Sequence, residues 1–283
     1  GFIPVNIVQA MSGGVIAQVS VFAIIFGIAF SYVNSGEKKS FYNMLCEFNK
    51  AILMVINMVM KMAPIGVFCL IASSIGKFSV KVIIPLAKYL GIYGLGTVIF
   101  LLLWIAVVSM YIRISPIEIV KRTARMSLVA LATTSSAVTL PVEMEDAERK
   151  LGVTKEVNKI TLPLGVSLNS NGAAMHMAIT IITVAQLYQV GYHFNDLIYI
   201  VALASFASLA NAVVPGAGLV SLSIVIPQMG LPLESIALFA GVEWFVGMLR
   251  TILNVDADTF ASILVAKSEH KLNYDVYKED YQL

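Results

Sequence analysis

Four polar side chains in the last apolar run carry the chemistry this sequence offers. Glu243, Arg250, Asn254 and Asp258 are separated by 7, 4 and 4 residues. At about 100° per helical residue they share one stripe of a helix. An ionisable side chain at bilayer depth costs about 2.5–3.5 kcal/mol even on a mild insertion scale. A chain bears that cost for a binding site or an ion path more often than for packing. A guanidinium can clamp a carboxylate through paired hydrogen bonds, so Arg250 is the natural anchor for an organic anion. Its structural alternative is an ion pair with Glu243, two turns earlier on the same face. Both can hold in turn, with Glu243 as a gate partner that occupies the guanidinium while the anion is absent. Asp258 is the carboxylate deep enough to serve as a charged cation ligand. Asp256 points to another face and reads as interfacial.

Three further groups surround this stripe in sequence. The string Ser167-Leu-Asn169-Ser170-Asn171-Gly172 breaks a second apolar run near its middle. Unwound carbonyls and Asn oxygens there make a hard-oxygen site suited to an alkali cation. The structural alternative is a kink whose freed groups are satisfied by neighbours. The small-residue clusters Ser135-Ser136-Ala137 and Val214-Pro215-Gly216-Ala217-Gly218 let backbone N–H groups and helix N-termini approach an anion. Either alone would be an ordinary tight turn; the two flanking one polar helix read as anion-facing tips. His176 follows the break by one turn, and a lone intramembrane His can relay protons. With no carboxylate near it in sequence, it reads as a hydrogen-bonded helix contact.

These groups must be positioned by membrane helices. Of 283 residues, 58% are hydrophobic and 13% charged, against about 45–50% and about 25% in soluble domains. The composition is that of an all-α polytopic integral membrane protein. A formal net charge of +2 leaves no basic excess, so nucleic acid is excluded as a partner. Membrane lipid and a small organic anion are the partners expected. Cys46 and Cys69 make neither a disulfide framework nor a metal-ligand spacing. No Ser/His/Asp or His/Glu metal constellation is present, so the reading is not an enzyme, and no cofactor is expected beyond Na+ or H+ as coupling ion. The chain opens on Gly1 without Met or a signal-peptide pattern, and is expected to be the middle of something longer.

Three simple spans are expected: Gly14–Val33, Ala51–Ile75 and about Val82 to Ile112. A short arm, Ile117–Thr133, a polar tip and a second arm, Thr139–Leu151, then read as a re-entrant hairpin. The broken run Ile160–Tyr192 follows. A second hairpin has arms Leu197–Val213 and Leu219–Met229. A last long helix, about Leu233–Ala266, carries the stripe. Hairpin, broken helix, hairpin, polar helix is an internal repeat of organisation, a hallmark of secondary transporters. Lys38, Lys39, Arg113, Lys121, Arg122, Arg125, Lys267 and Lys271 mark cytoplasmic loops and a cytoplasmic C-terminus. Lys77 and Lys81 are exceptions.

At these motifs the chain resembles the dicarboxylate/amino acid:cation symporters, the glutamate transporter homologues. The resemblance rests on Ser135-Ser136-Ala-Val-Thr139-Leu-Pro141, on Thr161-Leu-Pro163-Leu-Gly165 leading into Asn169-Ser-Asn171-Gly172, on Val214-Pro-Gly-Ala-Gly218, and on Arg250-Thr251-Ile-Leu-Asn254-Val-Asp-Ala-Asp258. It implies the family's elevator fold, here lacking its first three helices, in a homotrimer in a bacterial plasma membrane. It implies residues 1–80 as part of the trimerisation scaffold, 81–272 as the transport domain and 273–283 as a cytoplasmic tail. It implies substrate contacts from Ser135, Ser136, Val214, Pro215, Gly216, Ala217, Gly218, Arg250, Thr251 and Asn254. Cation sites are implied at Gly165, Asn169, Asn254 and Asp258, and at Ser167 with the backbone near Ser208.

Three departures bear on substrate. Asn171 stands where the family has a cation-binding Asp. Ala173 lacks a hydroxyl that meets the substrate side chain in acidic amino acid transporters. Gly247, one turn before Arg250 among the substrate-site positions, stands where amino acid transporters carry an Asp for the ammonium. The expectation is a C4-dicarboxylate symporter. The alternatives are an amino acid:Na+ symporter that holds the ammonium otherwise, and an inactive truncated homologue.

Overall fold

The computed structural model describes residues 4–12, 16–33, 35–60, 65, 83–209 and 217–278. The chain divides into two compact units, Gly1–Phe68 and Cys69–Leu283. The boundary expected near residue 80 lies outside the described residues.

The first unit contains α1 (Ile7–Ser12), α2 (Ile16–Ser31) and α3 (Ser35–Met60). Phe22, Phe26 and Phe30 recur every four residues and stack along α2, with ring centroids 5.9 and 6.2 Å apart. Phe41 of α3 closes on Phe30 at 5.2 Å. Aromatic pairs at this spacing add to area burial and tie the two helices together. The helix α3 starts 16 residues before the expected Ala51. Its early turns carry Glu37, Lys38 and Lys39, which helical propensity tolerates although a hydropathy reading does not.

The second unit is all helical among the described residues, apart from one isolated bridge between Val153 and Leu272. Its elements are α4 (Ile83–Ile112), α5 (Pro116–Thr133), α6 (Ser136–Arg149), α7 (Lys155–Leu168), α8 (Asn171–Leu187), α9 (Phe194–Ser208), α10 (Ala217–Gln228), α11 (Ile236–Ala240) and α12 (Glu243–Ser268). Among the described residues α4 is the one unbroken helix long and apolar enough to cross a membrane, and only 17% of its most apolar window is buried inside the protein. Of the three simple spans expected, α2 is 16 residues long, and 61–64 and 66–75 of the second lie outside the described residues.

The expected last helix is two pieces. A 3-10 turn at Leu233–Ser235 runs into α11, and this segment meets α12 at 84°. Gly241 and Val242 form the corner. The break makes Glu243 the first residue of α12, where unpaired N–H groups favour a carboxylate.

At the centre, α12 packs against α4, α5, α6, α7, α8 and α10. Two large apolar cores lie along it, with a small third cluster of Met126, Ala130 and Val255 between them. One joins Tyr89, Tyr93, Met177, Ile181, Leu222, Phe239 and Val246. The other joins Val108, Ile112, Leu151, Leu162, Phe260 and Ile263. Within a bilayer such side chains gain from close packing between helices rather than from leaving water. Between Val246 and Phe260 the buried positions of α12 include Arg250, Thr251, Asn254, Asp256, Asp258 and Thr259, interleaved with apolar Leu253, Val255 and Ala257. That stretch holds the candidate site.

Beyond the second core the tail is tied down. Tyr277 donates to the Leu151 carbonyl at 2.8 Å, and the Arg122 guanidinium lies 5.0 Å over its ring. A hydrogen bond from Lys271 holds the exposed Glu156 carboxyl below its ordinary range. Residues 273–278 are thus anchored to the turn between α6 and α7; 279–283 lie outside the described residues.

Candidate functional site

The polar stretch of α12 is met by three helix starts. At the first, α5 ends on Thr134 in left-handed backbone (φ 51°), its N–H closing on the Ala130 carbonyl. Ser135 then caps α6 by accepting from the Val138 N–H at 3.4 Å. Thr134, Ser135 and Ser136 are all buried, and the Thr133 and Thr139 hydroxyls bond across the corner at 2.9 Å. At the second, α7 ends at Leu168 and α8 begins at Asn171. Orphan N–H groups of α8 are capped by side chains: Asn169 Oδ1 accepts from Asn171, and Asn254 Oδ1 accepts from Gly172 at 2.8 Å. At the third, α10 begins at Ala217, and the Gly218 backbone bonds to Glu243.

Close approach explains the glycines in these motifs. A Cβ at Gly165 would lie 2.6 Å from Asp258 Oδ1. One at Gly218 would overlap the Arg250 guanidinium and lie 2.5 Å from Glu243 Oε1. A side chain at either place would push a helix off α12 or displace the functional group.

Arg250 is 3% exposed and pairs with Glu243 at 3.0 Å. Helical side chains lean toward the N-terminus, so the long Arg250 arm spans two turns to reach the first residue of its own helix. Gly247 is buried between this guanidinium and the first tip. A Cβ there would sit 3.8 Å from Arg250 Nη2 and 3.6 Å from Thr134 Cβ, which is ordinary contact. The position accepts a Cβ without a clash. Thr251 is buried beside Arg250.

One turn further, Asn169 Nδ2 donates to Asp258 Oδ1 at 2.7 Å and to the Asn254 carbonyl at 3.2 Å. Asp258 Oδ2 is buried and has no hydrogen-bond partner among the described residues. The Asp258 carboxylate, with its unpartnered Oδ2, and the Asn254 carbonyl share Asn169 Nδ2 and are hard oxygen donors of the kind an alkali cation takes. Residues and ion therefore fit.

The expected site residues are thus brought together at Ser135, Ser136, Gly218, Glu243, Gly247, Arg250, Thr251, Asn254, Gly165, Asn169 and Asp258. Two are placed differently. The Ser167 side chain is exposed, and its hydroxyl donates to the Pro163 carbonyl at 2.8 Å, within its own helix. Ser208 is buried and donates to the Ser205 carbonyl. Val214, Pro215 and Gly216 lie outside the described residues, as does the Ala217 side chain.

A family model for the sodium:dicarboxylate symporters matches residues 1–268. The chain belongs to that family. It is 30% identical over 269 residues to a proton/glutamate-aspartate symporter of Bacillus subtilis, covering 94% of this chain and 64% of the relative. It is 30% identical over 275 residues to a C4-dicarboxylate transport protein of Brucella anthropi, covering 96% and 61%. It is also 30% identical over 272 residues to human excitatory amino acid transporter 2, covering 90% and 46%. The chain therefore spans less than two thirds of the length of these relatives. Membership in the sodium:dicarboxylate symporter family makes it an integral membrane protein, in keeping with the outward-facing apolar surface of α4.

In this symporter-family chain three residues matter that the sequence pattern undervalued. Asp256 is buried rather than interfacial: it does point to another face, but toward α5, where Ser127 donates to it at 2.7 Å. Glu143 is fully buried, with Oε1 accepting from Thr259 at 3.0 Å and Oε2 unpartnered among the described residues. The signal was the inward spacing Ser136, Thr139, Glu143, Ala147 on α6. His176 is not hydrogen-bonded among the described residues; both ring nitrogens are buried and unpartnered.

Proposed function

We propose that this chain is the substrate-carrying part of a secondary active symporter that takes up a small organic anion, with a C4-dicarboxylate as first choice. The observation that carries the substrate class is Gly247. Beside an anchored guanidinium, the position that accepts a Cβ without a clash carries no carboxylate, so an α-ammonium finds no partner there. Arg250 holds one substrate carboxylate after it leaves Glu243. The N-terminal ends of α6 and α10 offer positive backbone ends to the rest of the anion. Na+ or H+ is the coupling ion, and Asp258, Asn254 and Gly165 would hold the cation. The α5–α6 and α9–α10 pairs act as re-entrant hairpins, and the second unit moves through the membrane as an elevator against a trimeric scaffold that includes the first. The C-terminus lies in the cytoplasm of a bacterial cell.

Competition for uptake in proteoliposomes tests the substrate class. Succinate and fumarate should displace a labelled C4-dicarboxylate far better than aspartate does. Aspartate as the better competitor would instead select an amino acid symporter. One observation favours that second reading: Glu243 Oε2 is unpartnered among the described residues and could receive an ammonium.

A further inference from the structure

Three functional groups converge on the start of α10. The point a Cβ would occupy on Gly218 lies 2.5 Å from Glu243 Oε1 and 2.8 Å from His176 Cε1, and closer still to Arg250 Nη1. The Arg250–Glu243 pair is buried, its side chains 4% and 9% exposed. Glu243 Oε2 and both nitrogens of His176 have no hydrogen-bond partner among the described residues.

The other neighbours of the imidazole do not supply one. From α4, Tyr89 and Tyr93 flank the ring at centroid distances of 6.4 and 6.1 Å. Tyr93 donates its proton to the Gly172 carbonyl, and the Tyr89 oxygen accepts from Thr180. Phe239 packs on Tyr89 at 5.0 Å, and Leu222 and Val225 of α10 belong to the same apolar core. The charged groups that meet His176 at this point are Arg250 and Glu243. Buried donors and acceptors in native proteins are nearly always satisfied, so an unpartnered pair of ring nitrogens points to a second state that satisfies them.

Charge counting identifies that state. With Glu243 on Arg250 the local charges cancel. When a substrate carboxylate takes the guanidinium, Glu243 becomes a buried carboxylate without a counter-charge, which is strongly unfavourable. One proton restores the balance. Held on the imidazole, it would be donated toward the freed Glu243 oxygen and would satisfy that oxygen and one of the two ring nitrogens. We propose that His176 and Glu243 form a proton site that fills when a substrate carboxylate displaces Glu243 from Arg250, so that each anion binds together with one proton from solvent. On release the anion leaves, Glu243 returns to Arg250, and the proton returns to solvent. This inference rests on the transport reading above and specifies its coupling.

The test is a proton count on binding. Purified protein in weakly buffered detergent solution is titrated with succinate, and separately with aspartate. Calorimetry reads binding, and a pH-indicator dye reads protons. The expected result is about one proton taken up per anion bound, with Kd rising about tenfold per pH unit once the site no longer fills unaided. Glu243→Gln needs no proton and competes less for Arg250. It should bind the anion more tightly, with no proton uptake and a Kd flat in pH. His176→Gln keeps a hydrogen-bonding side chain but cannot carry the charge, so uptake should fall and the pH profile should move to lower pH. If one variant does not fold, the other and the wild-type count decide. Wild-type binding without proton uptake overturns the inference alone, as does undiminished uptake in variants that still bind. A wild type that binds neither probe overturns the transport reading itself.

Discussion

Arg250 pairs with Glu243 at 3.0 Å, and on the proposed function an anion replaces that partner. A buried ion pair contributes little net stability, yet removing one member costs about 3–5 kcal/mol. That asymmetry makes Glu243 a useful gate, because an incoming carboxylate restores what its departure removes. Gly247 sets what else the site accepts. Gly247→Asp should fit without displacing Thr134, since the Cβ contacts are ordinary. It should shift competition toward aspartate over succinate by about tenfold or more, given about 1.5–3 kcal/mol for a hydrogen bond to a charged group. Uptake competition checks it. Gly165→Ala places a methyl 2.6 Å from Asp258 Oδ1. It should abolish the rise in melting temperature with added Na+ while leaving succinate-induced stabilisation measurable, as read by a thermal-shift titration. Arg250, Asn254 and Asp258 were legible in sequence because polar side chains inside an apolar run are costly and these three share one helical stripe. The orphaned state of His176 was not, because its neighbours come from α4, α10 and α12.

Helix ends, more than helix bodies, build this site. Thr134 in left-handed backbone and extended Asn169 each stop one helix and set the start of the next beside α12, and the corner at Gly241 starts α12 itself. The first two breaks were visible as polar clusters. The third was not, because Leu233–Ala266 is apolar on both sides of Gly241 and hydropathy is blind to a turn. Gly218→Ala should lift the start of α10 from Arg250 and weaken succinate binding at least about tenfold, the effect of about 1.4 kcal/mol. Calorimetry measures it, and unchanged affinity would show that α10 does not close on the anchor. Tyr277→Phe removes the hydrogen bond to Leu151 and should cost about 1 kcal/mol, seen as a lower melting temperature with substrate affinity unaltered.

At the scale of the molecule, a polar segment between two apolar cores suits a body that carries charged cargo through lipid. If the first unit belongs to a trimerisation scaffold, native mass spectrometry of the detergent-purified protein should show three chains of 30.6 kDa. A single chain under gentle conditions would remove that assignment.

By itself the sequence determined the membrane setting, the order of arms and tips, and the polar stripe with its missing carboxylate at Gly247. The membrane setting and the stripe follow from local composition and helical period, which a linear reading measures directly; the missing carboxylate at Gly247 follows from the family resemblance. Only the tertiary structure decided that Glu243 starts a helix, that Ser167 turns outward, that Asp256 is buried against Ser127, and that His176 shares one point with Arg250 and Glu243. The last two depend on which residues distant in the chain share a buried space, and burial is what makes an unpaired polar atom costly enough to demand a function.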